Sequence, residues 1–211
     1  MPSPSPPPLH ILYGSATGNS SHIATTLSST LPPSSPFYSS VLLAPCDSAK
    51  KGAPVWDAWG RDPGRGGFRH PLIVVCSTTG NGDAPENANK FVRLVKRKPK
   101  GAERMARGLA YAVLGLGDTN YDQFCAAARA IDRGLALHGG RRAAQVASAD
   151  EATGLEETVE PWVATVYAKL EAACRADRPG EEKKEPAPPA ETEPAAPPRE
   201  SKAGAVARVL A

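Results

Sequence analysis

Residues 71–87 read PLIVVCSTTGNGDAPEN. An unbroken apolar run, Leu72–Cys76, passes at once into a loop of glycine, threonine and asparagine. A strand with one wet face would alternate apolar and polar residues. A continuous run instead marks a strand buried on both faces, as in a parallel sheet covered by helices. The pattern recurs in LHILY at 9–13, LAYAVLGL at 109–116 and RAAQVA at 142–147, and a weaker run near 37–43 would make five. Helical periodicity fills the intervals at 20–31, 87–98, 121–138 and 155–174. The alternation predicts a doubly wound α/β fold, a five-stranded parallel sheet with helices on both faces. The stretch Gly52–Gly67, holding Trp56 and Trp59, reads as an irregular insertion before the third strand that the two indoles anchor.

In an open parallel sheet, ligands gather beyond the carboxyl ends of the strands, near the point where strand order reverses. The loops that follow the apolar runs are therefore the informative ones. After the first run comes GSATGNSS at 14–21, where Ser15, Ala16, Thr17, Gly18, Asn19 and Ser20 lead directly into a helix. Hydroxyls, free backbone amides and the positive end of a helix dipole suit a phosphate held without a cationic side chain. With no lysine there, a monoester suits the loop better than a triphosphate, which the P-loop pattern neutralises with its lysine and magnesium. The same residues also suit a capped helix start with no ligand. The second loop begins Ser77, Thr78, Thr79, Gly80, and its Gly80 and Gly82 permit a backbone with positive φ. The third, LGLGDTNYDQFC at 114–125, sets Tyr121 and Phe124 just past a pair of glycines.

Composition narrows the classes. The chain has 211 residues, of which 41% are hydrophobic, enough for one core. A formal charge of +3, with no basic stretch interleaved with aromatics, gives no support to nucleic-acid binding. The basic run Lys96, Arg97, Lys98, Lys100 reads as a solvated helix end. No apolar run approaches a membrane span, and the opening MPSPSPPP is no secretory signal. Cys46, Cys76, Cys125 and Cys174 lack CxxC spacing, so reduced thiols and a cytoplasmic location are expected. The four histidines are dispersed and form no catalytic or metal set. The expected domains are a Pro-rich disordered start at 1–8, the α/β domain at 9–173, and a Pro/Ala/Glu-rich disordered linker at 174–211. A linker that leads nowhere reads as part of a longer protein or a truncated product.

Taken together, GSATGNS, STTGNGDAPENANKF and LGLGDTNYDQFC resemble the FMN-binding, flavodoxin-like domain of the diflavin reductases, and most of all their methionine synthase reductase branch. The resemblance covers Leu9 to about Leu170. It implies that Ser15 to Ser20 hold the FMN phosphate and that Ser77, Thr78, Thr79 and Gly80 line the dimethylbenzene and N5 side. It further implies that Leu116, Gly117, Asp118, Thr119, Asn120, Tyr121, Phe124 and Cys125 hold the ring system, with Tyr121 stacked on one face and Asp150 an acidic position nearby. Many relatives carry a second aromatic ring in the middle loop, where this chain has Thr78 and Thr79.

The function so implied is electron transfer. Electrons would come from a reductase module carrying FAD and NADPH, absent here, and pass singly to a cobalamin or haem enzyme such as methionine synthase. The alternatives are a stand-alone flavodoxin-like quinone reductase and a truncated, non-catalytic interaction module. Asp83, Glu86, Asp118, Asp122, Asp150 and Glu151 would form one negative rim if the loops converge, and such a rim steers a basic partner.

Overall fold

A computed structural model describes residues 5–63, 67–100 and 104–175. The disorder expected for most of the C-terminal stretch and for residues 1–4 lies outside the described residues. The runs at 9–13, 71–77 and 109–116 become strands, and the sheet comprises β1 (Leu9–Gly14), β2 (Val41–Pro45), β3 (His70–Ser77), β4 (Leu109–Gly117), β5 (Arg141–Arg142) and β6 (Ala147–Asp150). Around them lie α1 (Asn19–Thr30), α2 (Val55–Trp59), α3 (Asn89–Val95), α4 (Ala126–Leu137) and α5 (Glu156–Cys174). All strand pairs are parallel, in the order β2-β1-β3-β4-β5, with β6 also paired to β4.

Successive residues of β3 alternate between two cores, which is why its sequence is apolar throughout. Leu72, Val74 and Cys76 point to one face with Phe91 and Val95 of α3 and Ile131 and Leu135 of α4. Ile73 and Val75 point to the other, against Leu27 of α1 and Trp162, Val166 and Leu170 of α5. Each fully buried Leu or Ile of this kind contributes roughly 1.5–3 kcal/mol relative to exposure.

The sheet departs from expectation at its far edge. Where one strand was expected over 142–147, two short ones stand, and the sheet has six strands. While β4 advances from Tyr111 to Leu114, the edge chain advances from Arg142 to Ala147 and so bulges outward. An edge strand has one partner only, and a local interruption leaves half as many ladder bonds unmade as in the middle of a sheet. The weak run at 37–43 also shifts. Pairing begins only at Val41, while Phe37 and Tyr38 are buried core residues ahead of it, in edge contact at 5.0 Å.

The segment from 52 onward carries one short helix, α2, which the sequence did not suggest. Its Trp59 is fully buried and lies 5.0 Å from Trp56, edge to face. Trp56 stacks on Phe91 of α3 and donates its indole N–H to the Ala49 carbonyl at 2.8 Å. Both indoles therefore pin the insertion to the core. All four cysteines are buried and free of disulfides. Among the described residues, no helix is long and apolar enough to cross a membrane, and no group of three His, Cys, Asp or Glu side chains could hold a metal ion.

Candidate functional site

Beyond the carboxyl ends of β1, β3 and β4 lies a cleft of about 270 Å³, close to the low end of the ~300–1,000 Å³ usual for small-ligand sites. It sits where the strand order turns from β1 towards β3, the switch point of a doubly wound sheet. Three loops close around it, each fixed by bonds to its neighbours.

The loop after β1 ends at Gly18, whose φ of 108° places it in the left-handed region that glycine tolerates. The Gly18 amide donates to Ser15 Oγ at 3.1 Å, and the Ser15 amide donates to Asn87 Oδ1 of the second loop at 3.0 Å. Underneath, the end of β1 is pressed so closely that a Cβ on Gly14 would stand 2.7 Å from both Ala88 Cβ and Cys76 Sγ. The first amides of α1 find no backbone acceptor among the described residues, as expected at a helix start without a side-chain cap. Ser20, in that first turn, is fully buried with its hydroxyl unpartnered.

The loop after β3 folds into a tight turn in which the Thr79 and Asp83 amides each donate to the other's carbonyl at 2.9 Å. Gly80 and Gly82 take φ of 51° and 98° there, the positive values the sequence allowed for. Thr78 Oγ1 accepts the Ala127 amide at 3.1 Å and so supports the start of α4. The loop after β4 turns through Asp118, which accepts the Asn120 amide at 2.7 Å, and ends at Cys125, held at φ 52°. Asp150, at the end of β6, accepts the Thr119 amide at 3.0 Å and its hydroxyl at 2.7 Å, and these bonds hold its carboxyl below the ordinary carboxylate range. Glu151 closes the ring of loops by accepting from Asn19 Nδ2 at 3.1 Å.

Three comparisons place this geometry. The Flavodoxin family model matches residues 69–162. Methionine synthase reductase of Bos taurus is 45% identical over 101 residues, 48% of this chain and 14% of the relative. The Homo sapiens protein of the same name is 41% identical over 112 residues, 53% of this chain and 16% of its own length. The inducible nitric oxide synthase of Gallus gallus is 38% identical over 96 residues, 46% of this chain and 8% of its own. Residues 69–162 thus match a flavodoxin model, and about half of the chain is similar to a region of the methionine synthase reductases and of an inducible nitric oxide synthase. The chain spans about a seventh of the length of the methionine synthase reductases it matches. Among solved structures, a short-chain flavodoxin associated with a bacterial microcompartment superposes with a TM-score of 0.58 at 20% identity, covering 79% of this chain and 99% of that one. The flavodoxin of Streptococcus pneumonia TIGR4 gives 0.53 at 24%, covering 77% and 99%.

In this flavodoxin-like domain the cleft is lined by Ala16, Thr17 and Asn19 from the first loop, Ser77, Thr78, Thr79 and Gly80 from the second, and Leu116, Gly117, Asp118, Tyr121, Phe124 and Cys125 from the third. Ser15, Gly18, Ser20, Thr119, Asn120 and Asp150 do not line it. They shape the loops that do. Of the six acids expected to form a rim, Asp118 and Glu151 line the cleft, whereas the exposed Asp83, Glu86 and Asp122 lie outside the lining.

The sequence reading overlooked two cleft residues, Gln123 and Leu155, and placed Glu151 only on the rim. Gln123 stands where the second and third loops close on each other, since a Cβ on Gly82 would meet its Cβ at 2.8 Å. Tyr121 is 62% exposed, a ring with one face free. Phe124 is half-buried, with the Arg129 guanidinium 5.5 Å above its ring. Burial pushes the Cys125 thiol up to about 11 and that of Cys76 to about 12, so neither is a thiolate nucleophile near neutral pH.

Proposed function

We propose that the cleft binds one FMN and that the domain passes electrons singly through it. The observation that carries this reading is the lining: hydroxyls, amides, glycines and aromatic rings, with no lysine, arginine or histidine in contact with the cleft. A monoester phosphate is satisfied by the helix-start amides and the Thr17 hydroxyl that lines the cleft, where a triphosphate would need cations. The exposed face of Tyr121 and the ring of Phe124 offer flat apolar surface for an isoalloxazine.

Bound FMN would supply one-electron chemistry, and the protein would supply position and potential. The amides at the start of α1 bind the phosphate, Leu116 and Phe124 exclude water, and Asp118 and Glu151 place negative charge beside the ring. A carboxylate at about 6 Å disfavours an added negative charge by roughly 3 kcal/mol at an effective dielectric of about 20. That makes the reduced cofactor a stronger donor. We infer that residues 9–173 form the FMN module. Its electrons would come from an FAD- and NADPH-binding module and pass to a protein acceptor, the cobalamin of methionine synthase or a haem.

Adding FMN to the purified chain and reducing it stepwise without oxygen tests the reading. Stoichiometric retention with a distinct one-electron stage in the visible spectrum is expected. Failure to retain FMN at micromolar concentrations would leave a flavodoxin-shaped interaction module.

A further inference from the structure

A second cavity, of about 260 Å³, is lined by Lys50, Lys51, Lys90, Arg93, Leu94 and Arg97. Five of these six are cations. Lys50 and Lys51 follow the short turn Cys46–Ala49 after β2, whereas Lys90, Arg93 and Arg97 recur at the spacing that puts side chains on one face of α3 and its closing turn. All five are exposed, and no acidic side chain lines the cavity. Among the described residues, no ion pair or hydrogen bond engages the side chain of any of the five, although the His138 ring meets the Arg97 backbone carbonyl at 2.8 Å. Asp47, the nearest acid along the chain, is turned inward and accepts the Phe91 amide at 2.9 Å.

Like charges gathered without counter-charges repel one another, so the arrangement costs stability unless something anionic meets it. The cavity offers long flexible cations over one half-buried leucine, with no aromatic ring to read a base and no hydroxyl to fix a phosphoryl oxygen. That favours a broad anionic surface over a compact phosphate ligand. The groove also begins close to the cleft, because Lys90 lies three residues past Asn87, whose side chain holds the Ser15 amide. The acids that line the cleft, Asp118 and Glu151, follow β4 and β6, whereas the positive flank is carried by α3 and the turn after β2.

We propose that the α3 flank, Lys50, Lys51, Lys90, Arg93 and Arg97, is a docking surface for an acidic patch on a protein partner. Opposite charges on the cleft wall and the flank would let a partner with the complementary pair approach in one orientation only, which sets register and on-rate more than affinity. The inference rests on the cationic groove alone and stands whether or not the cleft holds FMN.

The test is a titration of the full chain with a decaglutamate peptide at low salt, followed by amide chemical shifts. Saturable shifts at Lys50, Lys51, Lys90, Arg93 and Arg97 are expected. The double charge reversal Lys90→Glu with Arg93→Glu should weaken binding about tenfold or more, and the wild-type affinity should fall as the Debye length shrinks from ~10 Å at 0.1 M salt to ~3 Å at 1 M. Reversing Arg133 and Lys169, exposed cations on α4 and α5, should leave it within about twofold. Equal loss in both double variants would overturn the proposal, since net charge alone would then explain binding. So would shifts centred elsewhere, or tripolyphosphate binding the groove more tightly than the peptide.

Discussion

Thr119 donates both its backbone amide and its hydroxyl to the carboxylate of Asp150, at 3.0 and 2.7 Å. The pair fastens the loop after β4 to the end of β6, and the Ala152 amide adds a third donor at 3.0 Å. Neither residue lines the cleft, yet the loop they fix carries Asp118, Tyr121 and Phe124, which do. Asp150→Ala should therefore weaken FMN binding while leaving the circular dichroism spectrum unchanged. The depressed carboxyl gives the pH sign. Its contribution is present above the unfolded-state value of about 3.9 and is lost as pH falls through the folded value. An unchanged Kd for Asp150→Ala would show that the loop holds its shape without this anchor.

Arg142 and Asp132 make the other strong tie, a bidentate pair with both contacts at 2.7 Å and side chains 13% and 6% exposed. It joins the short strand β5 to α4, and the Tyr111 hydroxyl donates to the Asp132 carbonyl at 2.9 Å. Removing the cation alone strands a buried carboxylate. Arg142→Ala should cost about 3–5 kcal/mol in urea unfolding, whereas replacing both partners with leucine should recover much of that loss. A single-variant cost under about 1 kcal/mol would mean that water reaches Asp132.

How far all this was legible depends on what each residue answers to. The central strands answer to burial on two faces, which continuous apolar runs such as Leu72–Cys76 declare directly. The doubly wound order and the three cleft loops follow from those runs. The interruption between Arg142 and Ala147 was not legible, because an apolar run records burial and carries no record of how many ladder bonds an edge strand makes. Nor was the start of α4. Helical periodicity extends back to Tyr121, but the chain reaches Cys125 in a left-handed conformation and turns only from Ala126. Gln123 and Leu155 were missed because their role comes from where two loops meet. The spacing within either loop carries no sign of it.

His10 and His70 give a pH dependence of opposite sign to that of a paired histidine. Burial, and then the neighbouring His70, lower His10 to about 4, and burial lowers His70 as well. Between the folded value and the ordinary 6.5 the unfolded chain holds a proton that the folded chain does not. Stability must then rise with pH across that window, by at most ~1.4 kcal/mol per pH unit for His10. Urea midpoints should fall from pH 7 to pH 5. His10 packs edge-on against Trp59 at 5.2 Å, so His10→Phe keeps a ring there and should flatten the slope. An equally steep slope in that variant would assign the effect to other groups.

Tyr121 separates binding from folding most cleanly. A ring 62% exposed contributes little to the core, so Tyr121→Ala should change unfolding free energy by no more than about 0.5 kcal/mol. Its free face lines the cleft, and stacking there adds roughly 0.5–1.5 kcal/mol beyond area burial. FMN affinity should consequently fall by about twofold to tenfold or more in Tyr121→Ala and recover in Tyr121→Phe, which keeps the ring. Fluorescence titration of FMN against each variant reads the split. If the alanine variant binds FMN as tightly as the native chain, the ring does not stack on the flavin, and the half-buried Phe124, braced by Arg129, is left as the aromatic wall of the cleft.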